Sequence, residues 1–268
     1  MGRIITLTTD FGLADEFVGV MKGVILAVEP TALLVDLSHQ IIAHDIRQAA
    51  FLLAGAWRFF PSGTIHLAVV DPGVGTARRL VLLETGGQFF LAPDNGLLSL
   101  VLGAGLLTRA WLVANSDLFP GPVSTTFQGR DILAPVAARL AAGLNPELVG
   151  PALEVVELVH LTDLEPLVNY QAGTISGQVE QIDRFGNLVT NISPALLREL
   201  FGIGLDGLVI SCGQGTIRGL VGTYSDVEVG SVAAVRGGRG FLELVVNQGR
   251  AADYFQVGKG EPVVVRVN

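Results

Sequence analysis

The chain of 268 residues is poor in reactive and basic side chains. It has one cysteine, Cys212, and its only lysines are Lys22 and Lys259. A single cysteine excludes an internal disulfide and a thiolate metal cage, so Cys212, which follows an apolar run, is predicted to be a small core residue. The net charge of −8 at pH 7 argues against binding to a nucleic-acid backbone. We therefore expect a small ligand and no nucleic-acid partner.

Long apolar runs and leader sequences are also missing. Charged residues, glycine or proline interrupt every apolar stretch well short of the length that spans a membrane. The first residues lack the basic region, apolar core and cleavage site of a secretory signal. We expect a cytoplasmic location and no membrane partner. Because 50% of the residues are hydrophobic and only 16% are charged, the chain is expected to form one or two compact domains.

Several common catalytic motifs are absent. There is no Gly-x4-Gly-Lys phosphate loop, so a P-loop nucleoside triphosphatase has no support. There is also no Gly-x-Ser-x-Gly elbow, so a serine hydrolase has none either. His39 and His44 are loosely spaced and have no third histidine nearby. Ordinary polar roles are therefore favoured over a metal site for this pair.

The first part of the chain, residues 1–165, has the texture of an α/β domain. Strand-like runs alternate with segments of helical period: strands at 4–9, 33–37, 64–70, 80–84 and 89–92, and helices at 15–28, 45–60, 97–102 and 131–142. This alternation predicts a mostly parallel sheet flanked by helices.

The second part, residues 166–268, is rich in short β-type runs separated by glycine. These runs lie at 173–182, 188–192, 208–211, 216–221, 231–235, 241–246 and 262–267. One helix interrupts them, with Ser193 as N-cap, Pro194 at the first helical position and Gly202 after the last turn. We predict a smaller antiparallel sheet or β-barrel-like domain.

Two predicted strands end in an aspartate that is soon followed by glycine. Asp10 follows the run that begins at residue 4, and Asp71 follows the run that begins at residue 64. Buried parallel strands deliver such carboxylates to the carboxyl edge of the sheet, where open α/β folds bind ligands. Capping or turn roles account better for Asp36 and Asp94, which also follow predicted strands.

The segment after Asp71 is too rich in special backbone residues for an ordinary turn. It reads Asp-Pro-Gly-Val-Gly at 71–75, with Arg78 seven positions after the aspartate. Proline and two glycines allow the chain to fold tightly around a small site.

Five ordered motifs now make the chain recognisable. They are Thr-Asp-Phe-Gly at 9–12, Asp-Pro-Gly-Val-Gly-Thr-x-Arg-Arg at 71–79, Ala-Pro-Asp-Asn-Gly-Leu-Leu at 92–98, Phe-x-Gly-Arg-Asp-Ile at 127–132 and Ile-Asp-x-Phe-Gly-Asn at 182–187. Together they resemble the S-adenosyl-L-methionine hydroxide adenosyltransferases, the water-using relatives of the fluorinase and chlorinase. The resemblance spans nearly the whole chain. It implies cleavage of S-adenosylmethionine at the C5′–sulfur bond to give adenosine and methionine, with no metal or cofactor. It also implies a homotrimer whose sites lie between the amino-terminal domain of one subunit and the carboxy-terminal domain of the next.

The resemblance assigns acidic residues to the ribose and methionine parts of the substrate. Asp10 should hold the ribose hydroxyls, while Asp15 and Asp183 should hold the methionine ammonium. A carboxylate can accept two hydrogen bonds from a vicinal diol, and paired acids suit an ammonium group. Asp15 alternatively serves the start of a helix, where the helix dipole favours acids.

The resemblance assigns the adenine edge to Asn187. Tyr224 and the backbone around Gly238 and Arg239 should complete the nucleoside pocket. A side-chain amide can both donate to and accept from adenine. A plain β-turn is the alternative for the segment that contains Asp183 and Asn187.

Water activation in the family is assigned to an Asp-Arg-His set. Asp71 and Arg78 match the first two members, but Gln128 stands at the third position. Glutamine can hold a water by hydrogen bonding, yet it cannot take the proton of that water.

Three functions follow from these residues. The first is an adenosine-forming hydrolase, and the second is a non-catalytic or very slow S-adenosylmethionine binder, because Gln128 replaces the histidine. The third is a halide-using synthase. It is disfavoured because Asp71 places negative charge where an anion would sit, and because Gly129 has no hydroxyl where the fluorinase has a serine.

Overall fold

The computed structural model describes residues 2–202 and 207–267 and divides after Thr162 into two units. The first unit holds a seven-stranded sheet in the order β2-β1-β3-β5-β4-β6-β7. Its strands are β1 Ile4–Thr9, β2 Leu33–Ser38, β3 Ile65–Val69, β4 Leu80–Thr85, β5 Gln88–Pro93, β6 Thr108–Leu112 and β7 Ala152–Leu153. Its helices are α1 Phe17–Val28, α2 Ile46–Ala56, α3 Ser99–Leu102 and α4 Ala134–Ala141.

The expectation of a mostly parallel sheet is correct for only three of the six strand pairings. β2, β1, β3 and β5 run parallel, whereas β5, β4, β6 and β7 pair antiparallel. The reversal starts at Gly86 and Gly87, whose φ angles of 58° and 74° suit a two-residue hairpin. β4 and β5 are therefore joined directly, without the crossover helix that a parallel pair needs.

Helices cover both faces of this sheet. Along β3 the side chains alternate, so that Leu67 packs with α1 and α4 while Ala68 packs with α2. The helix expected from residue 15 begins at Phe17, and the helix expected over 131–142 starts as a π-helical turn at Gly129–Leu133. The carboxyl ends of the central parallel strands are left open between the two helical layers.

In the second unit every pairing between strands is antiparallel, and one isolated parallel bridge joins Val221 to Val235. Its sheet has the order β12-β11-β15-β9-β10-β14-β13, and β8 pairs with β9. Its elements are β8 Leu167–Asn169, β9 Thr174–Ile182, β10 Leu188–Thr190, α5 Pro194–Phe201, β11 Leu208–Cys212, β12 Gly215–Arg218, β13 Val232–Arg236, β14 Leu242–Val246, α6 Ala251–Phe255 and β15 Pro262–Val267. A bridge between Val221 and Val235 brings the two ends of the sheet together, so the sheet is nearly closed and barrel-like.

The local predictions for this unit hold at several positions. Ser193 caps α5 by accepting a hydrogen bond from the Leu196 N–H, and Gly202 ends the helix with φ of 79°. Cys212 is buried in the apolar core, where burial and the charge of Glu261 raise the pKa of its thiol to about 11. Within the described ranges, no helix has the length and apolar character needed to cross a membrane.

His66 lies in the middle of β3 and is only 1% exposed. Its Nδ1 lies 2.8 Å from the hydroxyl of Thr6, and its Nε2 lies 2.6 Å from Oε1 of Gln88. Because Gln88 uses its amide N–H to bind the carbonyl of Phe60, Oε1 is an acceptor and the imidazole must donate from Nε2. Burial lowers the pKa of His66 to about 4, so the ring is neutral at pH 7.

This network predicts a loss of stability in acid. The unfolded imidazole has a pKa of 6.5 and the folded one a pKa of about 4, so the unfolded state binds the proton more readily. The stabilisation is complete above pH 6.5 and is lost as the pH falls through 4. Urea denaturation should show His66→Gln to be less stable than the wild type at pH 7, with a gap that narrows by about 3 kcal/mol by pH 4. A gap that does not change with pH would contradict this account.

Candidate active site

A tight turn places Asp10 at the carboxyl end of β1. Gly12 adopts φ of 68°, and its N–H donates to the carbonyl of His39 at 2.8 Å. Oδ2 of Asp10 accepts a hydrogen bond from the backbone N–H of His44 at 2.8 Å, and His44 itself has φ of 70°. The backbone thus fixes one carboxylate oxygen of Asp10, and Oδ1 keeps its acceptor capacity.

A buried ion pair lies at the end of the neighbouring strand β3. The side chains of Asp71 and Arg78 are 6% and 10% exposed. Nε of Arg78 donates to Oδ1 and Oδ2 of Asp71 at 2.8 and 2.7 Å, and Nη2 binds Oδ2 as well. Such a multidentate charge-assisted contact fixes the planes of both groups.

The loop between these two residues folds onto the segment that precedes Gln128. Gly75 adopts φ of 81°, and a Cβ at this position would lie only 2.8 Å from the carbonyl oxygen of Thr125. Neither the backbone angle nor the space admits a side chain. Glycine is therefore required at position 75, because the loop there packs against the backbone of the segment that precedes Gln128.

Gln128 extends the polar chain. It is the N-cap of the π-helical turn at Gly129–Leu133, and its Oε1 accepts a hydrogen bond from Nη2 of Arg78 at 2.6 Å. Among residues 2–202 and 207–267, no acceptor binds its Nε2. The amide N–H groups of Gln128 are thus available to a water or another acceptor. π-Helical turns occur frequently at functional sites.

Asp10, Asp71 and Gln128 line one cavity of about 320 Å³. Three phenylalanines form an aromatic wall, with ring centroids 5.3 to 5.8 Å apart: Phe11, Phe17 and Phe127. The remaining lining residues are Ala43, His44, Val69, Val74, Thr126 and Gly129. Charges beside such a wall interact more strongly than they do in water.

Asp15 does not line this cavity. It is exposed and precedes the first residue of α1 by two positions, and the N-cap of that helix, Glu16, makes no capping hydrogen bond through its side chain.

Asp94 and Asn95 brace the ion-pair loop from outside the cavity. Asp94 accepts hydrogen bonds from Nε of Arg79 at 2.8 Å and from the Val159 N–H at 2.9 Å. Asn95 donates through Nδ2 to the carbonyl of Val70, directly before Asp71. Asp94 therefore has a structural role, but through an ion pair and a distant backbone N–H and not through the cap or turn that the sequence indicates.

Asp36 also makes structural contacts. Lys22 donates to Oδ2 of Asp36 at 2.6 Å, and Nε2 of His39 lies 3.0 Å from Oδ1. Partial burial would raise the pKa of this carboxyl, but the hydrogen bond from Lys22 and the proximity of His39 outweigh burial and lower it. On its other side, the ring of His39 bonds to the hydroxyl of Thr9, next to Asp10.

In the second unit, Asp183 organises the turn between β9 and β10. Its Oδ1 accepts from the N–H groups of Phe185 and Asn187 at 2.8 and 2.9 Å, and its Oδ2 accepts from Nδ2 of Asn187 at 3.0 Å. This turn leaves Oδ1 of Asn187 facing no donor among the described residues. Asn187 and Tyr224 line a cavity of about 470 Å³, together with Phe185, Val246, Gln248, Gly249 and Arg250.

A cluster of charges lies close to Tyr224. Burial raises the pKa of the Tyr224 hydroxyl, and the carboxylates of Glu243 and Asp183 raise it further. Arg239, beside Gly238 in the loop before β14, donates through Nη1 to Oε1 of Gln181 at 2.7 Å. Sequence reasoning missed Glu243, because it stands alone inside an apolar strand. A charged residue at a strand position flanked by leucines was the one available signal.

The described part of the chain contains no group of three histidine, cysteine or acidic side chains arranged to hold a metal ion.

The fold and the polar strand ends define a two-domain α/β protein with a candidate ligand site at the carboxyl edge of its first sheet. Two sequence models match the chain: the S-adenosylmethionine (SAM) hydroxide adenosyltransferase N-terminal domain over residues 5–150, and the corresponding C-terminal domain over residues 177–264. The chain belongs to the SAM hydroxide adenosyltransferase family, as its motifs predict.

Individual relatives agree with this assignment. An (R)-S-adenosyl-L-methionine hydrolase of Salinispora tropica is 41% identical over 96% of this chain and 95% of its own length. A fluorinase of Actinoplanes is 30% identical over 98% and 97% of the two chains. The crystal structure of an uncharacterized conserved protein from Thermotoga maritima, 35% identical, superposes with a TM-score of 0.90 and covers 98% of this chain and 99% of its own.

Proposed function

We propose that this protein hydrolyses S-adenosyl-L-methionine to adenosine and L-methionine by attack of hydroxide on C5′. The observation that carries this proposal is the buried chain from Asp71 through Arg78 to Gln128, which ends on the same cavity as Asp10. The relatives named (R)-S-adenosyl-L-methionine hydrolase, at 37 to 41% identity over nearly the whole chain, support the same reaction.

The reaction needs a placed nucleophile more than an acid. The hydroxide oxygen forms a bond to C5′ while the C5′–sulfur bond breaks. The electron pair of the C5′–sulfur bond passes to the sulfonium sulfur, which leaves as a neutral thioether. The hydroxide proton stays on the new 5′-hydroxyl, so no side chain has to supply one. The difficulty lies in holding a desolvated hydroxide in line with the bond that breaks.

Each member of the polar chain has a role in this step. Arg78 stabilises the negative charge of hydroxide, Asp71 fixes the guanidinium and orients the nucleophile, and Gln128 donates an amide N–H to its oxygen. None of the three takes a proton from water, because the carboxylate is bound by the guanidinium and a carboxamide is not basic. The nucleophile is then hydroxide drawn from solvent.

The nucleoside contacts follow from groups with spare hydrogen-bonding capacity. Oδ1 of Asp10 accepts from the ribose hydroxyls, and Oδ1 of Asn187 accepts from the adenine amino group. Tyr224 and the backbone at Gly238 and Arg239 complete the nucleoside pocket. Asp15 and Asp183 contribute negative charge for the methionine ammonium.

A second candidate is a SAM-binding protein with little or no turnover. Gln128 favours it, because the side chain is bound to Arg78 and cannot act as a base. A halide-using synthase has less support, because Asp71 would repel an anion in the cavity. A Cβ on Gly129 would also lie only 3.3 Å from Cγ1 of Val69, so a serine would fit there only if Val69 shifted.

We propose a homotrimer, with each site shared between the first unit of one subunit and the second unit of the next. The ribose and water residues lie in one unit and the adenine residues in the other, which supports a shared site. Sedimentation analysis should therefore find three chains per particle. A monomer with full activity would contradict this arrangement.

Product analysis tests the function. The wild type should release adenosine and methionine from SAM at a rate that does not depend on added chloride. Arg78→Ala should lower kcat by about 10²- to 10³-fold, the usual effect of removing one group that stabilises developing charge. Arg109→Ala is the matched control, because Arg109 is exposed, pairs with Glu84 and does not line the cavity. Equal rates for the two variants would refute the role of Arg78, and absence of adenosine from the wild type would favour the binding protein.

A further inference from the structure

Glu243 is a buried carboxylate on the face of β14 that points away from the barrel core. In the register of the sheet it stands opposite Val189 of β10 and Val235 of β13, and Val189 in turn stands opposite Gln181 of β9. Leu242 and Leu244, on either side of Glu243, belong to the barrel core. Directly paired residues share a face, so Glu243 lies in one row with Gln181, the side chain that binds Arg239.

The loop that follows β13 covers this carboxylate. Glu243 is only 6% exposed, and a Cβ on Gly237 would lie 2.1 Å from Oε1 of Glu243. The Gly237 N–H closes the loop by donating to the carbonyl of Phe241 at 2.8 Å. Glycine at 237 thus gives the acid the space that it occupies.

The carboxylate has no hydrogen-bond partner among residues 2–202 and 207–267. The nearby guanidinium of Arg239 donates to Gln181. Burial raises the pKa of Glu243, the charge of Arg239 opposes this shift, and Asp183 adds to it. A buried carboxylate without a donor is costly, so a cationic group is expected to complete it in the functional state.

Of the two neighbouring acids, Glu243 is the one whose oxygens are uncommitted. Asp183 uses both oxygens to hold the turn around Asn187. Oε1 of Glu243 lies against Gly237, directly before Gly238 and Arg239, so Glu243 is next to residues of the proposed nucleoside pocket. We infer that Glu243 is a specificity-determining residue that accepts hydrogen bonds from the α-ammonium group of the methionine half of the substrate. This inference rests on the proposed function.

Two non-reacting ligands separate the amino-acid half from the nucleoside. S-adenosylhomocysteine carries the α-ammonium, and 5′-methylthioadenosine has the adenosyl thioether without it. In calorimetric titrations, Glu243→Gln should lower the affinity for S-adenosylhomocysteine by about ten- to a hundredfold, the range for a lost charge-assisted hydrogen bond. Binding of 5′-methylthioadenosine should stay within about twofold, which also shows that the variant is folded.

Two further variants separate charge from packing. Glu243→Asp keeps the charge but loses reach, so it should retain more affinity for S-adenosylhomocysteine than Glu243→Gln, whose shape is closer to that of glutamate. Glu199→Gln removes one exposed charge from the same unit and should leave the affinity for both ligands unchanged. If Glu243→Gln lowers the affinity for both ligands equally, or lowers neither affinity, the inference is overturned. Adenosine release from SAM by the wild type tests the hydrolase proposal separately.

Discussion

The ion pair between Asp71 and Arg78 is the constraint on which the candidate site depends. Both side chains are nearly buried, so each would be costly without the other. Their contact fixes the guanidinium, which then fixes the carbonyl side of the Gln128 amide. Gly75 permits the loop geometry, and Asn95 holds the end of β3 from which the loop departs. The surrounding fold thus holds one oriented cation behind Asp71 and Gln128, the two partners of Arg78 that line the cavity.

Two other buried polar groups differ in whether they have hydrogen-bond partners. His66 is fully satisfied by Thr6 and Gln88 and remains neutral, so it belongs to the core. Glu243 is also buried, and no donor to its carboxylate is found in the part of the chain that the structure describes. The first pattern is typical of a structural network, and the second is typical of a group that awaits a ligand.

The sequence predicts those parts of the fold that depend on residue types close together in the chain. The cap at Ser193 and the ends of β1 lie where the residue types indicated. The direction of β4 was missed because the pair Gly86 and Gly87 is a hairpin signal, which strand periodicity alone does not register. Asp10 and Asp71 were expected at one edge of the sheet, and they line one cavity together with Gln128.

The remaining contacts could not be derived from sequence, because they depend on backbone direction and on cross-strand register. The N–H that His44 offers to Asp10 requires φ of 70° at a residue that is not glycine. Glu243 acquires its setting only when Gly237 folds over β14. Neither feature leaves a motif in the chain, whereas the glycine-rich loop at 71–75 does.

In the proposed mechanism, hydroxide is drawn from solvent and stabilised by Arg78, with no side chain acting as its base. The most direct test is the pH dependence of kcat at saturating SAM between pH 6 and pH 9. Log kcat of the wild type should rise by about one unit per pH unit across this range. Gln128→His should be faster at neutral pH by about 10²- to 10⁴-fold, and its rate should reach a plateau. A plateau near neutral pH in the wild type would contradict the account, because it would reveal a titrating base on the enzyme.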